Sequence, residues 1–235
     1  MSGHSKWSTI KRQKGANDAK RGAIFTKIGN QIAIAARGGT DPAMNPSLAL
    51  AIEKAKSVNM PMSNIERAIA RVADKSAAQM EEVAYEAYGP GGVGIIIETA
   101  TDNRNRTFPE VRSTLTKNGG TMAEPGSVAF QFTRRGVIHV GATGEDALMT
   151  ILEAGADDAV EEDGEITVYV DSKNLATVRA AINDAGLKVE EAGLEYVPNV
   201  SIEITDEETV GKILKLFEAL DDLDDVTAVH SNANL

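Results

Sequence analysis

Several residue types are absent or scarce in this sequence of 235 residues, and each absence excludes a class of protein. There is no cysteine, which excludes disulfides, thiolate metal sites and cysteine nucleophiles and indicates a reducing compartment. No apolar run approaches the roughly 20 residues that a membrane-spanning helix needs, and the N-terminal segment lacks the apolar stretch of a secretory signal. We therefore expect a cytoplasmic protein that has no membrane as a partner.

Aromatic residues and histidines are also scarce, which limits both the core and the available chemistry. Aromatics make up 4% of the chain, so a core drawn from its 42% of hydrophobic residues must consist mainly of Ala, Ile, Val and Leu. The three histidines, His4, His139 and His230, stand far apart, and none lies beside a nucleophile motif. Nothing in this pattern indicates catalysis. We expect a protein that is not an enzyme and has no cofactor.

Four aspartates crowd the C-terminal end of a predicted helix, where the helix dipole disfavours negative charge. They are Asp221, Asp222, Asp224 and Asp225. Carboxylates of this kind could bind Mg²⁺ or Ca²⁺, but the spacing is not that of an EF-hand loop and lacks its glycine turn. We interpret the aspartates as a solvated acidic turn without a metal. A metal-dependent enzyme that uses them is the weaker alternative.

Charge is abundant but segregated along the chain. The whole sequence has a net charge of −11, yet residues 1–75 hold 13 Lys or Arg against 5 Asp or Glu, a net charge of +8. The remaining 160 residues carry a net charge of −19. Such asymmetry points to a polyanionic partner, although local fluctuation in a long chain also produces it. A scaffold whose acidic part binds a basic protein is a further alternative.

The positive charge is densest in a basic arm, residues 3–22, whose net charge is +5. Lys and Arg neutralise phosphates without reading the base sequence, and each contact releases counterions. We predict phosphate contacts by Lys6, Lys11, Arg12, Lys14, Lys20, Arg21 and Lys27. Trp7 lies among these residues, where it either stacks on an exposed base or anchors the arm to the helices that follow.

The N-terminal third of the chain has the pattern of a helical bundle. Apolar side chains recur at three- and four-residue spacing between residues 25 and 36, which is typical of an amphipathic helix. A second helix is predicted to begin at Asn45 and Pro46, with Asn as the N-cap and Pro in the first turn. A third is predicted to begin with a capping box formed by Ser63 and Glu66.

From Glu81 onwards the apolar period changes to two, which is typical of β-strands. We predict strands over 81–87, 93–100 and 127–132, with a helix over 105–117. Residues 134–199 follow the order β-α-β-β-α-β of the ferredoxin-like pattern. A strand, a helix capped by Thr205 and a last strand come after it, and the simplest host for them is the sheet of residues 81–133.

The predicted fold class is therefore α+β with three domains: an N-terminal helical bundle and two ferredoxin-like α/β sandwiches, one inserted in the other. The predicted limits are 1–80 for the basic helical bundle, 81–133 with 200–235 for the middle α+β domain, and 134–199 for the inserted ferredoxin-like domain. No pattern in the sequence predicts an oligomeric state.

The segment from Gly89 to Gly94, GPGGVG, matches the dinucleotide-binding pattern G-x-G-x-x-G letter for letter. That fingerprint requires a helix after the glycines, since the helix N-terminus holds the pyrophosphate. Here the glycines lead into three consecutive isoleucines, residues 95–97, which are typical of a strand. We therefore predict a β-hairpin at this position, without a bound dinucleotide.

A second motif, DNRNRT from Asp102 to Thr107, lies between a predicted strand and a predicted helix. Its Asp and Asn residues suit a solvated capping loop. Its arginines, Arg104 and Arg106, lie beside the positive end of a helix dipole and equally suit a phosphate seat. Both interpretations stay open, and the two arginines are candidate nucleic-acid contacts.

Several segments resemble signatures of the YebC/PmpR family. They are GHSKWSTIKRQKGANDAKRGAIFTKIGNQIAIAAR near the N-terminus, then YEAYGPGG, TDNRNRT, GSVAFQF and RGVI. The resemblance covers essentially the full length of the chain. It implies a three-domain α+β protein with an N-terminal helical bundle, a middle domain completed by the C-terminal residues, and an inserted third domain.

The resemblance also implies a function, in two versions. Members of the family are usually described as DNA-binding transcriptional regulators. A related description makes them ribosome-associated translation factors, like the mitochondrial translational activator of cytochrome oxidase. We therefore expect a nucleic-acid-binding regulator of gene expression, with DNA as the partner and ribosomal RNA on the ribosome as the alternative.

Overall fold

The computed structural model describes the backbone of residues 18–73, 79–162 and 164–235, and their side chains from Arg21 onwards. Within these ranges the helices are α1 (Asp18–Ala35), α2 (Pro46–Ser57), α3 (Met62–Ala70), α4 (Arg104–Lys117), α5 (Glu145–Glu153), α6 (Leu175–Asp184) and α7 (Glu207–Asp221). The strands are β1 (Glu81–Tyr88), β2 (Gly94–Thr101), β3 (Thr121–Met122), β4 (Phe132–Val140), β5 (Asp158–Glu162), β6 (Glu165–Val170), β7 (Val189–Pro198), β8 (Ile202–Glu203), β9 (Val226–Ser231) and β10 (Ala233–Asn234).

Helices α1, α2 and α3 pack around a small apolar core, which defines the helical unit of the molecule. Ile28 and Ile32 of α1 are buried against Leu48 of α2 and Ile65 of α3. Asn45 caps α2 as predicted, because its side-chain oxygen accepts a hydrogen bond from the backbone N–H of Leu48 at 3.1 Å. The helical spacing and this cap were therefore sufficient to predict the unit's main elements.

The start of α3 differs from the prediction. The helix begins at Met62, and no side chain caps it. The carbonyl of Pro61 accepts the first hydrogen bond, from the backbone N–H of Asn64 at 2.9 Å. Ser63 consequently lies inside the first turn, and the predicted capping box of Ser63 and Glu66 is wrong. Proline suits this position because it donates no N–H of its own and restricts the chain before the helix.

The strands form two four-stranded antiparallel sheets and one short parallel pair. The first sheet has the order β3-β1-β2-β9, the second has the order β5-β6-β4-β7, and β8 pairs with β10. Helix α5 follows β4 and helix α6 follows β6, so the second sheet has the ferredoxin-like arrangement. The predicted α+β class is confirmed, while the predicted domain limits stay a prediction.

Each sheet buries one face under two helices, α4 and α7 on the first and α5 and α6 on the second. Fully buried side chains of the first core include Ile95, Leu115 and Phe217. Those of the second core include Ile138, Ile151 and Ile182. The two cores are separate, so each sheet and its two helices form a unit with a core of its own. We call the two units together, residues 76–235, the acidic body.

The connection from the first sheet to the second is not a strand, so the predicted strand over Ser127–Phe132 is wrong. A 3₁₀ turn occupies Ala129–Gln131, and β4 begins only at Phe132. The Glu86 carboxylate accepts three backbone N–H groups from residues 126–129, at 2.6, 2.6 and 2.8 Å. These N–H groups are therefore not available for hydrogen bonds between strands. No local sequence pattern predicts their contact with Glu86.

The C-terminal elements return to the first sheet in part. Strand β9 pairs with β2, as the predicted host sheet requires, but β8 pairs with β10 instead. Helix α7 is capped by Asp206, whose carboxylate accepts the backbone N–H of Thr209 at 2.9 Å. The predicted cap, Thr205, lies one residue too early, because Asp206 is the residue that can reach the N–H three positions on.

The glycine-rich segment forms a hairpin turn, as predicted. Strands β1 and β2 are antiparallel neighbours, and a 3₁₀ turn at Pro90–Gly92 joins them. Gly91 and Gly92 have φ angles of 75° and 76°, a region that glycine adopts without steric cost. The glycines thus serve a tight connection between strands, and the dinucleotide pattern is coincidental here.

Candidate nucleic-acid interface

Most of the predicted basic arm lies outside the described residues. Lys6, Trp7, Lys11, Arg12 and Lys14 precede residue 18, and the side chain of Lys20 is not among those described. Arg21 lies in the first turns of α1 and is exposed. The phosphate contacts predicted for the arm stay a prediction.

Lys27, the last of the predicted phosphate contacts in α1, faces inward. Its side chain is only 12% exposed, and its ammonium group lies 3.7 Å from the Asp221 carboxylate. It also donates a hydrogen bond to the backbone carbonyl of Asp221 at the end of α7. A cation at this end of a helix complements the helix dipole. Lys27 therefore holds α1 against the acidic body, an arrangement that speaks against a phosphate contact.

The DNRNRT loop is a helix cap, which confirms one of the two interpretations of this motif. The side-chain oxygen of Asn103 accepts the backbone N–H groups of Asn105 at 3.1 Å and Arg106 at 3.3 Å. The first turn of α4 is thereby satisfied by a residue of the loop itself. The second interpretation, a phosphate seat, depends on how the two arginines are placed.

Arg104 is held by a carboxylate of the same chain. Its Nε and Nη2 donate to the two oxygens of Glu81 at 2.8 and 2.6 Å. This hydrogen-bonded pairing raises the pKa of Arg104. The side chain is 58% exposed, so it stays reachable from solvent. A phosphate at this position would have to share the guanidinium with Glu81.

Arg106 is paired with two carboxylates. It donates to Asp225 at 2.8 and 2.9 Å and to Asp102 at 3.2 Å. Asp225 also accepts the hydroxyls of Thr107 at 2.6 Å and Thr101 at 3.1 Å. Since Arg106 lies between two acids, its main role is to link Asp102 to Asp225, and little of its charge is left for a phosphate.

Asp225 corrects the interpretation of the acidic turn. The residue is 6% exposed, in contrast to its exposed neighbours Asp222 and Asp224. Burial raises its pKa, but the hydrogen bonds from Thr107 and Arg106 more than offset this, and the pKa lies below its ordinary range. Asp225 is therefore a buried, ionised partner of α4, and the prediction of a wholly solvated turn is wrong.

The same network reaches the helical unit through a residue that the sequence gave no reason to select. Arg71, at the end of α3, donates to Asp102 at 3.3 Å and lies 3.5 Å from the Asn30 side-chain oxygen. Arg71, Asp102, Arg106 and Asp225 thus form a continuous chain of alternating charge. No local signal marks Arg71, because its partner lies 31 residues further along the chain.

A polar cleft of about 420 Å³ lies along this network, between the helical unit and the first sheet. Its charged lining consists of Arg71 and Arg106 against Asp102, Glu110, Asp224 and Asp225. Carboxylates outnumber guanidinium groups, and like charges repel a phosphate. The cleft therefore does not favour a nucleic-acid backbone, and it is best described as the joint between two units.

The two described histidines lie apart and are buried. His139 Nδ1 lies 3.4 Å from both the Thr167 hydroxyl and a Glu165 oxygen. His230 Nε2 lies 2.8 Å from a Glu98 oxygen. Among the described residues no three side chains of His, Asp or Glu are grouped as a metal site would require. His4 lies outside those residues.

None of the helices in residues 18–73, 79–162 and 164–235 is both long enough and apolar enough to cross a membrane.

The fold therefore defines an α+β class of protein, with a basic helical unit and two antiparallel sheets. Two family models match almost the whole chain: the TACO1/YebC protein N-terminal domain over residues 5–75, and the TACO1/YebC second and third domain over residues 80–233. The chain belongs to the TACO1/YebC family, as the resemblance in the sequence predicted.

Relatives of known sequence and structure agree with this assignment. A probable transcriptional regulatory protein, CT1665 of Chlorobaculum tepidum, is 48% identical over all of this chain and 96% of its own length. Another, DP2908 of Desulfotalea psychrophila, is also 48% identical over the same shares. The crystal structure of the conserved hypothetical protein Aq1575 from Aquifex aeolicus has a TM-score of 0.87 and 41% identity, covering 92% of this chain and 91% of that one. The names of the two relatives of known sequence support a regulatory protein.

Proposed function

We propose that this chain is a nucleic-acid-binding regulator of gene expression that contacts DNA phosphates through its basic arm. One observation carries the proposal. The cations next to the acidic body, Lys27, Arg104 and Arg106, are each paired with a carboxylate of the chain. The arm of residues 3–22 holds six Lys or Arg against the single acid Asp18, and this excess suits a polyanion.

The acidic body gives this contact a direction. Residues 76–235 have a net charge of −19, and a negative surface repels the polyanion that the arm attracts. A nucleic acid is then drawn to the cationic residues and repelled from most of the acidic body. Lys56 and Arg67 of the helical unit are exposed, so they add cations that a phosphate can reach.

Ribosomal RNA is the second candidate partner. The ferredoxin-like strand order of the second sheet recurs in ribosome-associated proteins, which is an argument by fold analogy. Parallel binding measurements with duplex DNA fragments and with purified ribosomes separate the two candidates, since a regulator of transcription prefers the first and a translation factor the second.

The test of the arm is a salt titration with matched variants. We expect K11A/R12A/K14A to lose several-fold or more in affinity and to show a shallower dependence on salt, because three phosphate contacts are removed. The control K117A/K188A/K212A removes the same charge from exposed positions of the acidic body. Binding that is independent of salt, or an equal loss in the control, would contradict the proposal.

A further inference from the structure

Two large apolar side chains stand in solvent beside the connection between the sheets. Phe130 is 72% exposed and Val200 is 74% exposed. The segments that carry them are hydrogen-bonded together, because the Asn199 backbone N–H donates to the Gln131 carbonyl at 2.8 Å and its side-chain amide donates to the Phe130 carbonyl at 3.3 Å. We name Phe130 and Val200 the apolar tip.

The loop that carries Phe130 is held firmly from below. Glu86 accepts three backbone N–H groups of residues 126–129, all at 2.8 Å or less. Burial raises the pKa of Glu86, but hydrogen bonds from these N–H donors lower it by a larger amount. The pKa of Glu86 therefore lies below its ordinary value. An ionised carboxylate at the centre of the loop fixes its backbone. Phe130 is therefore presented to solvent by an ordered turn, at a cost in exposed apolar area.

The surroundings of the apolar tip are unlike the rest of the acidic body. Residues 126–135 and 196–202 contain no Asp or Glu, although residues 76–235 as a whole are strongly acidic. Arg134, four residues beyond Phe130, lies over the Tyr196 ring at 5.7 Å and is 47% exposed. Two carboxylates reach this surface, Glu86 at the loop backbone and Glu98 at 3.9 Å from Arg134. Exposed aromatic rings and an arginine are typical of surfaces that bind single-stranded nucleic acid.

We propose that the apolar tip packs against an unpaired base of the nucleic acid, with Phe130 as the stacking residue. This inference rests on the proposed function and adds a second contact. The tip contacts exposed bases, while the arm contacts phosphates. The two carboxylates that reach this surface, Glu86 and Glu98, are engaged by donors of this chain. Neither is left for a basic protein segment, which favours a nucleic acid as the partner. Glu86 is a positioning residue, because it acts only through the loop.

The first test measures affinity for single-stranded RNA and DNA oligonucleotides and for the corresponding duplexes. We expect F130A to bind single strands about 5- to 150-fold more weakly, the range that corresponds to loss of one base–aromatic stack. V200A shows a smaller loss in the same direction, and binding to fully paired duplex changes little. M44A is the matched control, because Met44 is 82% exposed but lies in the helical unit.

The second test locates the contact in the unaltered protein. Oligonucleotides in which 5-iodouracil replaces uracil or thymine are irradiated in the complex, and the cross-linked peptide is identified by mass spectrometry. The expected cross-link is at Phe130. E86Q is expected to weaken single-strand binding as well, and the double variant E86Q/F130A to be no weaker than F130A, since both act through one contact.

The outcomes separate this inference from the proposed function. If the wild-type chain binds neither single strands nor duplex, the proposed function fails and the base contact fails with it. If the wild-type chain binds but F130A, V200A and M44A are indistinguishable and no cross-link reaches Phe130, the base contact is wrong while the proposed function stands. The apolar tip then serves a different class of partner, such as an apolar pocket on a protein.

Discussion

The helical unit meets the two sheets of the acidic body in different ways. Against the first sheet, Lys27 and Arg71 are partly buried and joined to further hydrogen bonds, and Ala33 packs with Met80 and Ala100. Against the second sheet the Lys54–Glu191 pair is more exposed, while Arg179 of α6 pairs with Glu53 of α2 and Leu50 packs against the second core. The comparison teaches that part of the positive charge of the helical unit is used for internal docking.

The difference between the two boundaries also predicts where the molecule is least stable. Charges that are buried and hydrogen-bonded are costly to leave without a partner, whereas exposed ion pairs contribute little. The exposed Lys54–Glu191 pair should therefore contribute less than the partly buried pairs of Lys27 and Arg71. Four variants or conditions test this ranking, beginning with the largest expected effect.

Removal of the Asp225 carboxylate should have the largest effect, because Asp225 holds Arg106, whose second partner Asp102 also binds Arg71 at the first boundary. In D225A the hydroxyls of Thr101 and Thr107 and the guanidinium of Arg106 lose their shared acceptor. We expect a loss of about 2–3 kcal/mol in the free energy of unfolding, measured by urea unfolding followed by circular dichroism. The control is D222A, at an exposed position in the same turn. An equal loss in D222A would show that the hydrogen bonds of Asp225 do not contribute to the free energy of unfolding.

Acid should weaken the same boundary. Burial raises the pKa of Asp225, but hydrogen bonds from Thr107 and Arg106 bring it below its ordinary value of 3.8. A lowered pKa in the folded state means that the stabilisation is present above the unfolded-state pKa and is lost as pH falls through the folded-state pKa. We expect wild-type stability to decline below about pH 4, and D225N to decline less steeply. Identical pH profiles of unfolding midpoints would contradict this assignment.

Replacement of Lys27 tests the contact between α1 and α7. K27M keeps the aliphatic stem but loses the hydrogen bond to the Asp221 carbonyl and the ion pair. We expect a cost of about 1.5 kcal/mol and faster amide hydrogen exchange in α1. K212M, at an exposed lysine of α7, is the matched control. Unchanged exchange in α1 would mean that apolar packing alone holds the helix.

The smallest effect is expected at the second boundary. Lys54 and Glu191 lie 3.2 Å apart, with side chains 43% and 40% exposed. A double-mutant cycle with K54A and E191A should give a coupling energy of about 0.2–1 kcal/mol that disappears at high salt. A coupling as large as the D225A effect would reverse the ranking of the two boundaries.

The elements that sequence patterns predicted well are those determined by neighbours in the chain. The Asn45 cap of α2 and the hairpin at Pro90–Gly92 depend on a few consecutive residues. The errors arise where a distant group intervenes. Residues 127–132 have an apolar content typical of a strand, yet Glu86, some 40 residues earlier, accepts the backbone N–H groups of Val128 and Ala129.

The candidate site divides in the same way. The motif at Asp102–Thr107 was predicted to cap a helix or to hold phosphate, and its capping role follows from local hydrogen bonds. The pairing of Arg106 does not, because Asp225 lies 119 residues away. The exposed position of Phe130 was not predicted either, since a lone aromatic in an apolar stretch is ordinarily assigned to the core.

By itself the sequence determined the α+β class, the family, and the separation of a basic N-terminal region from an acidic remainder, since these follow from composition and short-range periodicity. Only the tertiary structure decided which charges stay available to a partner. Lys27 meets Asp221 across 194 positions of sequence, and whether a cation is neutralised depends on distances of a few ångströms in space. Folding alone brings such pairs together. The sequence therefore gives the net charge of a segment, and only the fold shows how much of that charge is exposed.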